Sequence, residues 1–228
     1  MADKKTRRNI NLRYILAFIC FIVGLALIFS PQITSFIAKQ SQNEVLHNLN
    51  KDKIRENEKS KGQFDFSKVK SIDFAQVTKS RIKNNAKAVG AIAIPSVHMY
   101  LPILKGLSND SLSTGGGTMR PDQKMGHGNY PLAGHYMTAN GSLFSPLESV
   151  KKGKLIYLTD LKKVYIYKIY MKKKVPPTAV WLVDDTRKNI VTLITCADWG
   201  ANRWAIRGSL IKTVKATDEK LRIFKLRQ

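Results

Sequence analysis

Cys196 ends the run Ile190-Val191-Thr192-Leu193-Ile194-Thr195-Cys196, an apolar, β-branched stretch that stops at Ala197-Asp198-Trp199-Gly200. The only other cysteine, Cys20, sits in a long apolar segment near the N-terminus. If that segment crosses a membrane, Cys196 has no partner on its own side. A lone thiol in an exported domain is a candidate nucleophile rather than a staple. Such a thiol attacks as thiolate, so it needs a base or a cationic neighbour, and the tetrahedral intermediate needs a donor for its oxygen. The chain offers four histidines: His47, His98, His127 and His135. His47 lies in a polar stretch and is expected in solvent, and His98 falls in a connection between strands. His127 stands between Gly126 and Gly128 in a loop. His135 follows Pro131-Leu132-Ala133-Gly134, a short extended run whose end a scaffold can aim. Spacing ranks His135 first and His127 second, and leaves both open. For the oxyanion, arginine suits because it stays cationic and presents a planar fork of donors. Arg203 and Arg207 share one strand face, so alternation does not separate them.

Short runs rich in Val, Ile, Tyr and Thr, each bounded by turn residues, predict the elements that hold these groups. They are Val89 to Ile94, Tyr100 to Leu104, Leu155 to Leu158, Val164 to Met171, Ala179 to Val183, Ile190 to Cys196 and Arg203 to Ile211. Seven or eight short strands with few helical stretches argue for one all-β barrel or sandwich. Phe144 to Val150 has room for a helical turn or two. Thr114-Gly115-Gly116-Gly117-Thr118 reads as a flexible loop, since it lacks the Gly-Lys-Ser/Thr ending of a phosphate cradle.

With 39 basic and 16 acidic residues the formal charge is +23. The basic residues are scattered in small clusters such as Lys172-Lys173-Lys174, and no helix-turn-helix, zinc-finger or RNA-recognition signature accompanies them. A basic surface facing an anionic envelope is therefore favoured, and nucleic acid is not a predicted partner. Lys4, Lys5, Arg7, Arg8 and Arg13 precede an uncharged run from Tyr14 to Ser30, which Ile33 to Ala38 can extend. This predicts a transmembrane signal anchor over 14–38, with residues 1–13 cytoplasmic and the remainder outside. No small-x-small cleavage site follows the segment, which argues against a removed signal peptide. Residues 39–86, rich in Lys, Asn, Glu, Gln and Ser, read as a polar stalk that is partly helical at best. The catalytic domain is expected over 87–228.

Thr192-Leu193-Ile194-Thr195-Cys196 resembles the T-L-x-T-C signature of sortases. Leu132-Ala133-Gly134-His135 resembles their histidine motif, and Arg203, ahead of Ile206-Arg207-Gly208, resembles their arginine strand. The order His, Cys, Arg and the N-terminal anchor also match, and the chain resembles class A, the housekeeping sortases of Gram-positive bacteria. This resemblance implies a closed eight-stranded β-barrel with short helices. It also implies a cysteine transpeptidase that cleaves a Leu-Pro-x-Thr-Gly sorting signal between Thr and Gly. The thioacyl enzyme would pass the protein to an amine of a lipid-linked peptidoglycan precursor. Cys196 would be the nucleophile, His135 the acid/base and Arg203 the group that stabilises substrate or oxyanion; only the motif selects Arg203 over Arg207.

Strand alternation then puts Thr192, Ile194 and Cys196 on one face, with Ala133 beside His135 and Ala205 beside Arg203. Leu193 and Thr195 point the other way. The expected substrate contacts are Ala133, Thr192, Ile194, Thr195 and Ala205, with Val175 closing the groove from a loop ahead of Pro176-Pro177. Trp199 and Trp204 read as packing residues. Asn109, Asp110 and Asp122, with Asp184 and Asp185, fall where some class A sortases bind calcium. They supply few carboxylates in either loop, so calcium independence is expected and no cofactor is predicted. The alternatives are a pilin-polymerising sortase, a hydrolytic cysteine peptidase, and a membrane-anchored envelope-binding module without activity. The first commonly has a second, C-terminal membrane segment, and Lys225-Leu226-Arg227-Gln228 does not resemble one.

Overall fold

The computed structural model describes residues 3–66, 69, 86–137 and 141–226, so much of the predicted stalk lies outside the described residues. Eight strands close into a barrel: β1 (Ala88–Ile94), β2 (Met99–Leu104), β3 (Gly116–Thr118), β4 (Asn129–Ala133), β5 (Leu155–Thr159), β6 (Lys163–Val175), β7 (Ile190–Ala197) and β8 (Asn202–Lys215). Around the barrel the order is β1-β2-β3-β4-β7-β8-β6-β5. Two neighbouring pairs, β2 with β3 and β4 with β7, are parallel, and the rest are antiparallel. The helices are α1 (Asp3–Ile28), α2 (Ser30–His47), α3 (Lys51–Lys59), α4 (Asn109–Thr114) and α5 (Asp218–Leu221). A closed eight-stranded all-β barrel is thus the architecture found.

Period-two alternation fills the interior. Ile92, Ile94, Leu101, Ile103, Leu132, Ile156, Leu158, Tyr167, Leu193 and Ile206 form one buried cluster. Tyr167 carries its hydroxyl into this core, where it accepts from the Gly126 N–H at 3.0 Å. β1 is apolar at every position because it is buried on both faces. Its Ile side chains point inward, while Ala91 and Ala93 face an outer cluster with Leu46, Val164 and Phe224. The small alanines leave room for the segments on either side of the barrel to cross over β1 together.

Four expectations change. Gly116–Thr118 is a buried strand, not a flexible loop. A Cβ on Gly115 would lie 2.2 Å from the Pro102 carbonyl oxygen, and one on Gly117 would lie 2.5 Å from that of Gly106. These glycines serve close backbone approach rather than freedom of motion. Ala179 to Val183 is not a strand: Pro176 and Pro177 stop β6, and Val180–Leu182 forms a 3₁₀ turn in the long β6–β7 loop. The predicted anchor over 14–38 is not one straight helix. Among the described residues no single helix is long and apolar enough to cross a membrane, and Leu12–Ile28 and Gln32–His47 meet at 58°. The region read as a stalk docks on the barrel in its described part. Leu46 and Ile54 are buried, and Asn57 Nδ2 donates to the Ala88 carbonyl at 2.9 Å. Their apolar spacing seats a helical face, so this part of the linker is tied down despite its polar composition.

Candidate active site

β7 carries the thiol and pairs on both sides. On one side Cys196 lies opposite Arg203 of β8, and Arg203 lies opposite Val175 of β6. On the other side Ala133 of β4 lies opposite Ile194 in parallel register, and Gly134 continues the ladder by donating its N–H to the Ile194 carbonyl at 3.1 Å. Cys196, Arg203 and Val175 form one row across the strand ends. β4 ends at Ala133, and His135 follows two residues later, just past Gly134, whose N–H is bound to β7. The adjacent row is Ala133, Ile194, Ala205 and Lys173, and the next is Pro131, Thr192, Arg207 and Met171.

His135 is clamped through its backbone. Its carbonyl accepts from Phe144 N at 3.0 Å, next to the Gly134–Ile194 bond. The fully buried Phe144 ring lies so close to Gly134 that a Cβ there would meet it at 2.4 Å. Glycine before the histidine is therefore required by the ring that shapes the turn. Burial pulls the His135 imidazole down from its usual value near 6.5 to about 4. The imidazole is consequently neutral at pH 7, able to accept a proton. His127, the other candidate, is exposed at the far end of the five-residue β4, bridged to Lys124. His98 and His47 are also exposed and lie outside this row.

The two arginines separate by environment. Arg203 Nη1 donates to the carbonyls of Gly200 at 2.7 Å and Asn202 at 2.9 Å. Two of the five guanidinium donors are thus used on the β7–β8 turn, which leaves three for a bound group. Arg207 is committed elsewhere. Its Nε donates to Thr192 Oγ1 at 3.2 Å, its Nη2 to the Leu182 carbonyl at 3.2 Å, and it stacks on Trp181 at 4.8 Å. Thr192 in turn donates to Asn129 Oδ1 at 2.7 Å, and Asn129 Nδ2 holds the carbonyls of Leu182 and Asp184 at 2.8 Å. Thr192, expected to touch substrate, is instead fully buried in a network that ties the β6–β7 loop to the barrel. Asn129 carries that network, and a lone asparagine at a strand start has no pattern by which sequence reasoning could have found it.

Ala133, Ile194 and Ala205 come together in a second apolar cluster with Leu107, Leu112, Met119 and Leu182, separate from the barrel interior. Val69, Val175 and Val183 pack against it. Val175 is the last residue of β6 rather than a loop residue. Leu182 of the β6–β7 loop packs in this cluster beside Ala133, Ile194 and Ala205. Thr195 points to the opposite face, opposite Trp204, and its buried hydroxyl has no hydrogen-bond partner among the described residues. Trp204 packs against the barrel core beneath Lys172 and Lys174, as expected of a packing residue. Trp199 does not: it is 98% exposed.

The arrangement can perform acyl transfer: a nucleophile and a cationic donor are paired across β7 and β8, and a neutral base follows the end of the neighbouring β4, beside an apolar floor. The sortase-domain family profile matches residues 92–211. The chain is similar to Sortase A of Streptococcus agalactiae, 45% identical over 210 residues covering 88% of this chain and 85% of that protein. It is also similar to Sortase A of Listeria monocytogenes, 41% identical over 212 residues covering 91% and 96%. Its fold overlays the crystal structure of the Listeria monocytogenes sortase A with a TM-score of 0.60 and 43% identity, over 61% of this chain and 99% of that one.

The depressed His135 value has a sign that can be tested. Between about pH 4 and 6.5 the unfolded chain binds a proton that the native site refuses, so stability falls as pH drops through that window. An NMR titration of the free protein should give a His135 midpoint well below the ordinary imidazole value, and His135→Asn should flatten the acid side of the stability curve. A midpoint at or above the ordinary value would contradict the burial described here.

Proposed function

Given that the chain belongs to the sortase family, in its class A branch, we propose that Cys196, His135 and Arg203 carry out its reaction in the roles set out below. The protein is a cysteine transpeptidase that anchors surface proteins to the cell wall. The observation that supports the residue assignment is that Cys196 pairs with Arg203 in the β7–β8 register, while the chain leading to His135 leaves β4 hydrogen-bonded to β7 through Gly134.

In this reading the Leu-Pro part of a Leu-Pro-x-Thr-Gly signal rests on Ala133, Ile194 and Ala205, with Val175 at the edge. His135, neutral in the free enzyme, accepts the thiol proton as Sγ attacks the threonine carbonyl carbon. Arg203 donates to the oxygen that becomes negative, using the donors not engaged by the turn. The imidazolium then protonates the glycine nitrogen as the C–N bond breaks, leaving a thioester. An amine of a lipid-linked peptidoglycan precursor attacks that thioester, His135 takes its proton, and the thiol is released with a new amide bond.

The chain is further read as a single-pass protein of the cell membrane, with its N-terminus cytoplasmic and the barrel outside. Support comes from the exposed apolar side chains of α1 between Leu12 and Phe29 and from the basic residues ahead of them. The bend at Phe29 and the packing of Thr34, Ser35 and Ala38 argue that the membrane segment ends near Phe29. Residues beyond it form a linker to a catalytic domain over 87–228. Sorting-signal proteins and the precursor amine are its partners.

Catalysis is proposed to need no calcium. Arg120 bridges Asp122 at 3.1 Å and Asp185 at 3.4 Å, joining the β3–β4 and β6–β7 loops with a built-in cation. The Arg120 hydrogen bond holds the Asp122 carboxyl below its ordinary value, and the Asn129 N–H, ahead of Thr186 and Arg120, does so for Asp185.

In a ligation assay with a labelled Leu-Pro-x-Thr-Gly peptide and a glycine-based amine, the wild-type chain should form a Thr–amine product and Cys196→Ala none. His135→Ala and Arg203→Ala should each lower kcat/KM by about 10²–10⁴-fold. Ligation by the Cys196 variant would sink the mechanism, and hydrolysis with no transfer would point to a peptidase. Turnover of chelator-treated enzyme should not respond to added calcium; a several-fold stimulation would refute the proposed independence.

A further inference from the structure

Trp199 is the most exposed large apolar side chain described in the barrel domain, at 98%, and it stands three residues past the nucleophile. Its backbone is left-handed (φ 55°), as are those of Asp198 (φ 50°) and Gly200 (φ 97°). Glycine takes that conformation readily and aspartate tolerates it, but tryptophan does so rarely. The turn is nevertheless held firmly. Asp198 pairs with Lys174 and accepts from Asn202 Nδ2 at 2.8 Å, Ala201 N donates to the Asp198 carbonyl at 3.0 Å, and Arg203 holds the Gly200 carbonyl. An unfavourable conformer fixed by its surroundings, and used to hold an indole in water beside a reactive thiol, points to a contact made during function.

The side of the thiol on which Trp199 stands tells which contact. The apolar floor lies back along β7 from Cys196, at Ala133, Ile194 and Ala205. The turn lies beyond Cys196, where the strand ends. An acyl group whose peptide runs over the floor therefore presents its leaving side toward the turn. We propose that Trp199 is a docking residue for the acceptor, gripping the peptide that bears the attacking amine. This inference rests on the assignment of Cys196 and its floor made above. Three chain steps separate the Cα atoms of Cys196 and Trp199 by at most about 11 Å. An acceptor peptide advances about 3.3–3.6 Å per residue, so the indole meets it within about three residues of the amine. The contact is with peptide backbone and aliphatic atoms, not with anything further from the reacting nitrogen.

The experiment uses the full chain with glycine amide, diglycine amide and triglycine amide as acceptors. Acylation is followed separately, from the rate of thioacyl formation by mass spectrometry. In the wild type, acceptor KM should fall as the acceptor lengthens. Trp199→Gly suits the backbone, so its melting temperature should hold or rise. It should lose the gain from length, raising the triglycine amide KM about ten-fold, the size of one aromatic contact. Trp199→Phe should keep most of the gain. The loss should fall on acceptor KM and not on the acylation rate. An unchanged length dependence in Trp199→Gly, or no length dependence in the wild type, would overturn the proposal. So would an equal fall in acylation, which would make Trp199 a support for the thiol or the donor peptide. Failure of the wild type to form any thioacyl enzyme would instead remove the Cys196 assignment beneath it.

Discussion

The hydrogen-bond ladder between β4 and β7 holds Ala133 opposite Ile194, and the site depends on that register. Side chains alternate with a period of two, so a slip of one residue would turn His135 away from Cys196 and carry Leu132 out of the barrel interior. Register here is enforced from both faces. Leu132 and Leu193 are buried inside the barrel, and Ala133 and Ile194 are buried in the outer cluster. Parallel strands cannot be joined by a tight turn, so β4 and β7 are held by packing, by the ladder, and by the Asn129–Thr192 bond at the far end of the pair.

Polar groups around the site divide the work. Arg207, Thr192 and Asn129 satisfy one another and the backbone of the β6–β7 loop, in a network buried at its centre. They hold that loop to the barrel at the Leu182 and Asp184 carbonyls, beside the apolar floor. Among the described residues the hydrogen bonds of the Arg203 guanidinium go to the Gly200 and Asn202 carbonyls, and burial keeps the His135 imidazole neutral. In the proposed reaction this leaves guanidinium donors and a base for the transition state. The turn that aims Arg203 also holds Trp199 in solvent, so the shape of one short loop sets both features.

Much of this was legible from residue types. The strand ending in Cys196 declared itself by its β-branched run and abrupt stop, and the interior residues by alternation. Spacing and alternation rank His135 above His127 and leave Arg203 and Arg207 on one face; the sortase motif chooses His135 and Arg203, and the structure adds the different tertiary partners of the two arginines. Gly115, Gly116 and Gly117 were misread because sequence cannot tell a glycine chosen for freedom from one chosen for close approach. Ala179 to Val183 looked like a strand by composition, yet the prolines ahead of it ended β6 and left a turn. The docked linker was hidden by its charge: Leu46 of α2, Leu49 and Ile54 of α3 turn inward among many charged neighbours.

The central claim is that His135, Cys196 and Arg203 act as one catalytic unit. Single-turnover thioacyl formation measured for wild type, His135→Ala, Arg203→Ala and the double variant tests it most directly. If the two side chains serve the same transition state, the double variant should be little slower than the worse single variant. Losses that multiply would mean that the two side chains act independently, which would contradict the single catalytic unit.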